Sequence, residues 1–238
     1  MKRPRLTTLA RIGGALAVLL GIWLGWELLT WPDVHELAAT NPTTTAFIER
    51  YRREQVEQAK PGRVAQSWIS YDEISPNLKK AVLVAEDINF FSHDGFDSEE
   101  IREAVREALQ EHRAPRGAST ITQQLSRNLW LSPSRNPLRK LKEAVLTYQL
   151  ERALTKDRIL ELYLNVAEFG PGIYGAEAAA QRYFGKSARR VSKRQAARLA
   201  AALPNPSTLN PQRIDVDHWR VRLIRERMRN ATFLDRYL

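Results

Sequence analysis

Twenty residues from Ile12 to Trp31 carry one charge, Glu27, which lies near an end of the run. A helix of that length crosses a bilayer core of about 30 Å. Residues 32–66 are different in kind. They hold Pro32, the segment Asn41-Pro42-Thr43-Thr44-Thr45 and a charged stretch from Glu49 to Lys60 with helical character, and they read as a juxtamembrane connector. From Trp68 onward the apolar positions recur at helical spacing, and no convincing alternating strand breaks the series. Leu78, Ala81, Val82, Ala85 and Ile88 form one stripe, widened by Leu83 and Val84 toward full burial. Asp97 or Ser98 caps a helix with Ile101, Ala104, Val105 and Ala108 as its inner face. Thr120 with Gln123 has capping-box form and opens a helix through Leu131. Pro137 starts the next, with Leu138, Leu141, Val145 and Tyr148 as its predicted buried stripe. Thr155 caps a helix burying Ile159, Leu162, Tyr163 and Val166 that stops at Gly170-Pro171-Gly172. Ala176–Phe184 is a short helix ended by Gly185, and Ser192 with Gln195 opens one that Pro204 terminates. The expected fold class is all-α.

Composition adds limits. The chain has 238 residues, 43% of them hydrophobic, enough for one domain core plus an appendage. It has no cysteine, which excludes disulfides and thiol catalysis. A formal charge of +10 points to an anionic partner, whether nucleic acid, acidic lipid or phosphorylated substrate. Lys2, Arg3, Arg5 and Arg11 precede the apolar run and Asp33 and Glu36 follow it, a bias that puts the N-terminus in the cytoplasm and the rest outside. Trp23, Trp26 and Trp31 crowd the far end as an interfacial belt would. A cleaved signal peptide is the competing reading, but the run exceeds a usual signal core and no Ala-x-Ala site follows closely. The expected organisation is a cytoplasmic tail (1–11), an anchor (12–31), the connector (32–66) and a helical domain (67–238). An outward domain is beyond the reach of nucleic acid.

Two carboxylates are candidates for chemistry. Glu86 ends the apolar run 81–85, so partial desolvation should lift its pKa toward the range of a general base. Glu86 and Asp87 equally fit the polar edge of a helix end. Counting 100° per residue from Leu138, Glu143 falls at about 140° and Val145 at about 340°. Glu143 is therefore expected to face water or a cleft, and an i,i+4 partnership with Arg139 on a solvated face explains it as well. Between them the helix start at Thr120 offers free N–H groups, with Ser119, Gln123, Gln124 and Arg116 adjoining and Arg127, Arg135, Arg139 and Lys140 following. That set suits a pyrophosphate, since guanidinium binds phosphate oxygens bidentately. His93 lacks a second histidine at ligand spacing, so a zinc site is not indicated and a structural hydrogen bond before Gly95 suits it better. The Ser-x-x-Lys and Lys-Thr-Gly signatures of penicillin-binding transpeptidases are absent.

Five motifs occur in order: Glu86-Asp87-x-x-Phe90-x-x-His93-x-Gly95; Arg116-Gly117-Ala118-Ser119-Thr120-Ile121-Thr122-Gln123-Gln124; Arg139-Lys140-x-x-Glu143; Arg158-Ile159-Leu160-Glu161-Leu162-Tyr163-Leu164-Asn165; and Gly175-Ala176-Glu177 running to Tyr183-Phe184-Gly185-Lys186. Over roughly residues 68–211 the chain resembles the membrane-anchored peptidoglycan glycosyltransferases, in their monofunctional form. Phe91 is more apolar than the residue often found there, and Ala118 stands where Gly or Ala is usual. The resemblance implies a lysozyme-like all-α domain with a small membrane-proximal lobe. It implies an inverting transfer that joins lipid II into β-1,4 glycan strands with release of undecaprenyl diphosphate. Glu86 and Glu143 would be catalytic, and Asp87, Phe90, His93, Gly95, Arg116, Gly117, Ser119, Thr120, Gln123, Gln124, Arg127, Arg135, Arg139 and Lys140 would bind substrate. Glu143 is also a candidate ligand for a divalent cation, Mg2+ or Mn2+; no other cofactor is implied. The implied partners are lipid II, the nascent glycan strand, the membrane and other cell-wall synthesis or division proteins, with the catalytic domain on the outer, periplasmic side of the bacterial cytoplasmic membrane. Two alternatives stay open: a lytic transglycosylase or lysozyme-like muramidase, and a non-catalytic anchor protein binding anionic lipid.

Overall fold

The computed structural model describes residues 5–112, 117–134 and 136–238. The chain divides into two compact units between Asp33 and Val34. The first is a single helix, α1 (Arg5–Leu29), on which Leu16, Val18, Leu19, Ile22, Trp26, Leu28 and Leu29 are all exposed. Among the described residues no helix is long and apolar enough to cross a membrane. Ile12, Leu20, Trp23 and Leu24, which belong to the apolar run, stand outside the described side chains.

The second unit is mostly helical. It begins within the expected connector, which contributes α2 (Ala46–Glu57), capped by Thr45, and the short strand β1 (Ala65–Gln66). Helix α3 (Pro76–Glu86) is capped by Ser75 with proline in its first turn, where a missing N–H costs nothing. Every residue from Leu78 to Val84 is buried, so α3 is the central helix; α9 (Lys193–Ala202) and α10 (Trp219–Asn230) pack against it. Each fully buried Leu or Val contributes about 1.5–3 kcal/mol relative to exposure. Ala85 is half-buried and Ile88, past the helix end, is exposed.

Helices α4 (Ser98–Gln110), α5 (Ile121–Trp130), α6 (Pro137–Ala153) and α7 (Lys156–Val166) follow, with α5 packed against α2, α6 and α7. The capping box at Thr120 and Gln123 forms as the sequence suggests. After α7 the chain makes β2 (Glu168–Gly170) and β3 (Ile173–Tyr174), then α8 (Ala176–Phe184), which Gly185 ends in the left-handed conformation. The strands form a small sheet in the order β1-β3-β2, with β1 parallel and β2 antiparallel to β3. No strand was expected. Two or three residues are too few to display alternation.

Helix α6 corrects a second expectation. Leu138, Leu141, Val145 and Tyr148 are not buried but 40–63% exposed, while Glu143, Leu146, Thr147 and Leu150 face inward. The α5 contact selects that face, and three basic side chains around Glu143 make a buried carboxylate tolerable there. Helix α4 departs in the same direction: Ala104 and Ala108 are buried, Ile101 and Val105 exposed.

Candidate active site

Glu86 is the last residue of α3, and its position there follows from what Asp87 does next. The Asp87 carboxylate leaves the helix axis and accepts the Ile121 N–H at the start of α5 (2.9 Å) and a bond from His93 Nε2 (3.0 Å). His93 Nδ1 in turn accepts the Gly95 N–H at 3.1 Å, so the ring proton sits on Nε2. Gly95 O then accepts from the Thr120 hydroxyl at 2.7 Å, closing a loop of bonds that ties the end of α3 to the start of α5. Phe90 is fully buried beside it, edge-on to Phe91 and His93.

Gly95 has a φ of +89°, and a Cβ there would lie 2.8 Å from Thr147 Cγ2 and 3.0 Å from Glu151 Cγ. Gly95→Ala is therefore expected to cost about 1–3 kcal/mol from backbone strain alone, with the clash in addition. Chemical denaturation measures it, and a loss under about 0.5 kcal/mol would show that this loop does not hold the site together.

Against this rigid junction Glu86 is held at both oxygens. Oε2 accepts from Gln124 Nε2 at 3.1 Å and Oε1 from Arg220 Nη2 at 3.0 Å. Only 11% of the side chain is exposed. Burial pushes its pKa up and the neighbouring Asp87 charge adds to this, while Gln124 and Arg220 oppose it. A carboxylate whose pKa is raised is a stronger base than an exposed one, which is the change a general base needs.

Two clefts meet at Glu86. One, of 880 Å³, is lined by Gln124, Arg127, Asn128, Tyr163 and Arg220 and by α2 residues such as Arg50 and Tyr51. The other, of 560 Å³, runs past Asp87, Ile88, Thr120 and Arg227. Ala85, Glu86, Gly117 and Ser119 line both.

Glu143 does not face either cleft, contrary to the helical-wheel expectation. Its side chain is fully buried behind Arg127, accepting from Arg127 Nε at 3.1 Å, Arg139 Nη1 at 2.5 Å and Lys140 Nζ at 2.5 Å. Burial would raise its pKa, but Lys140, Arg139 and Arg127 together hold it below the usual carboxylate value. A carboxylate whose oxygens are occupied by three cations does not fit a divalent ion. Among the described residues the only set of three metal-type ligands within reach of one another is Asp87, His93 and Asp97. Asp97 there accepts the Glu100 N–H and an Asn89 amide bond, and all three act as structural bonds.

The structure thus divides the residues singled out in the sequence. Glu86, Gly117 and Ser119 line both clefts, and Gln124 and Arg127 line the larger one. Asp87, Phe90, His93, Gly95, Thr120 and Gln123 form the buried frame, and Arg139, Lys140 and Glu143 stand behind Arg127. Arg116 and Arg135 lie outside the described residues.

Residues 52–229 match the family model for the transglycosylases. The chain belongs to the transglycosylase family. Relatives agree over most of their length. A protein of an Azoarcus species is 45% identical over 196 residues, covering 82% of this chain and 84% of the relative. One from Aromatoleum aromaticum is 42% identical over 227 residues, covering 95% and 98%. One from Bordetella pertussis is 45% identical over 195 residues, covering 80% and 78%. All three carry the name biosynthetic peptidoglycan transglycosylase.

The candidate site contains residues that the sequence did not single out for chemistry. Arg220 and Arg227 come from α10, beyond the last recognised motif, and reach back to Glu86 and to the Val84 carbonyl at 3.2 Å. A helix so rich in arginine reads as a solvated basic face. Only the third dimension distinguishes Arg220 from its neighbours.

Proposed function

We propose that this transglycosylase polymerises a lipid-linked disaccharide into β-1,4 glycan strands of peptidoglycan, with Glu86 as general base. The observation that carries the reading is a buried carboxylate, held at both oxygens, at the junction of two clefts that can take a donor and an acceptor sugar. Glu86 accepts the proton of the acceptor 4-hydroxyl as that oxygen attacks the anomeric carbon of the donor. The bond from that carbon to the pyrophosphate oxygen breaks, and undecaprenyl diphosphate departs with the electron pair. Attack from the face opposite the leaving group turns an α-linked donor into a β-linked product. The leaving group needs charge stabilisation rather than a strong acid, and Arg127 in the larger cleft is placed to supply it. With Nε given to Glu143, its two Nη groups are what Arg127 has left to offer.

The same reading gives a bilayer two attachments. The run from Ile12 to Trp31, with the basic residues before it, acts as a single anchor that places Val34–Leu238 on the outer side of the cytoplasmic membrane. The exposed apolar row Leu138, Leu141, Val145 and Tyr148 then faces lipid, where the substrate's tail resides.

Purified full-length protein incubated with labelled lipid-linked disaccharide is expected to yield a glycan polymer sensitive to muramidase. Release of soluble fragments from preformed peptidoglycan, with no polymer made, would instead establish lytic chemistry.

A further inference from the structure

The Tyr163 hydroxyl is buried, and it donates to Gln124 Oε1 at 2.9 Å. The other end of that amide, Gln124 Nε2, donates to Glu86 Oε2 at 3.1 Å. We propose that Tyr163 is a positioning residue for Glu86, acting through Gln124: its hydroxyl fixes which end of the Gln124 amide faces the carboxylate. The inference rests on Glu86 being the base.

A glutamine amide presents a donor at one end and an acceptor at the other, and nothing in its own shape selects between them. An ionised carboxylate accepts only, so it requires the NH2 end. The carbonyl end must then find a donor in a buried setting, and Tyr163 is that donor. Burial, together with the Glu86 charge, raises the Tyr163 pKa well above 10.0, so the hydroxyl keeps its proton wherever the enzyme works. Replacing the hydroxyl by hydrogen leaves the Gln124 carbonyl without a partner whenever Glu86 is ionised. Protonated Glu86 frees that choice, because the amide can then also turn and accept its O–H, whereas the ionised carboxylate allows only the orientation that strands the carbonyl. Losing the tyrosine hydroxyl therefore favours the protonated form of the base. The other charged groups facing Glu86 are Arg220 from α10 and Asp87 beside it, with Arg127 of α5 acting on Tyr163; none changes in the substitution.

The pH dependence of polymerisation by Tyr163→Phe, Gln124→Met and the double variant tests this. Tyr163→Phe should move the acid limb of the rate profile upward by about one pH unit, so that its deficit against wild type is roughly tenfold larger below the limb than above it. Gln124→Met, which removes the amide, should move the limb in the same direction. Adding Tyr163→Phe to Gln124→Met should then move it no further, because the route of influence is gone. A deficit of the same factor at every pH, or an equal additional shift in the Gln124→Met background, would overturn the proposal. Melting temperatures of the three variants identify any loss due to misfolding, and an unshifted limb in a folded Gln124→Met protein counts against it independently. Residual activity in Glu86→Gln would strike the general-base reading itself, whatever the limbs do.

Discussion

Glu86→Gln is expected to lower polymerisation by about 10²–10⁴-fold without weakening the fold. The amide is nearly isosteric with the carboxylate: its oxygen still accepts from Arg220, and its NH2 meets the Gln124 carbonyl once that amide turns over and the Tyr163 hydroxyl accepts instead of donating, but it cannot take the acceptor proton. Stability gives a second readout with a definite sign. Burial raises the folded pKa of Glu86 above its unfolded value of about 4.3, so the native protein binds that proton more tightly than the unfolded chain does. Wild-type stability is consequently lost as pH rises from near 4 through the raised folded value. The glutamine variant has no such loss. Thermal unfolding at neutral pH should find Glu86→Gln at least as stable as wild type, with the difference closing toward about pH 4. A variant keeping more than about a tenth of the wild-type rate would remove Glu86 as the base. A neutral-pH melting temperature well below wild type would mean that the ionised carboxylate is a structural anion.

The two glutamates show where sequence reading works and where it stops. Glu86 was legible because a local rule applied: an apolar run ending in a carboxylate gives desolvation, and the structure has that carboxylate nearly buried. The capping box at Thr120 was legible for the same reason, since its partners are three residues apart. Glu143 obeyed no local rule. Its helix carries an apolar row on one side, and ordinary amphipathic logic turns that row inward. What reverses it is a charge brought by a different helix, Arg127 of α5, together with Arg139 and Lys140 from its own turn. Helical spacing cannot register such a partner. Arg220 was hidden in the same way, as it meets Glu86 across 134 residues of chain. His93 could be anticipated as a structural hydrogen-bonding residue, yet its link through Asp87 to the start of α5 joins positions 34 residues apart, which spacing along the chain does not reveal.

Arg127→Ala is expected to cost about 10²–10³-fold in turnover of the lipid-linked substrate, the range for removing one fixed group that stabilises developing charge. Its stability cost should be small, because Glu143 still retains Arg139 and Lys140. Arg127→Lys should recover only part of the rate, since a compact ammonium replaces a planar fork and cannot span from Glu143 to a bidentate contact with phosphate oxygens. Glu143→Gln separates the cation from what positions it. That change leaves three basic side chains around a site without an anion, two of them mostly buried, and should destabilise by about 3 kcal/mol while also lowering turnover. The pH signature runs opposite to that of Glu86. Because the Glu143 folded pKa lies below its unfolded value, its contribution is present in full above about pH 4.3 and disappears as pH falls through the depressed folded value. Acid unfolding should therefore be shallower in Glu143→Gln than in wild type, with the gap between the two proteins narrowing at low pH. Turnover of Arg127→Ala within about threefold of wild type, at both low and moderate salt, would take the pyrophosphate away from this cleft. The buried cluster would then serve only to fasten α6 to α5 by a carboxylate that its helix could otherwise not bury.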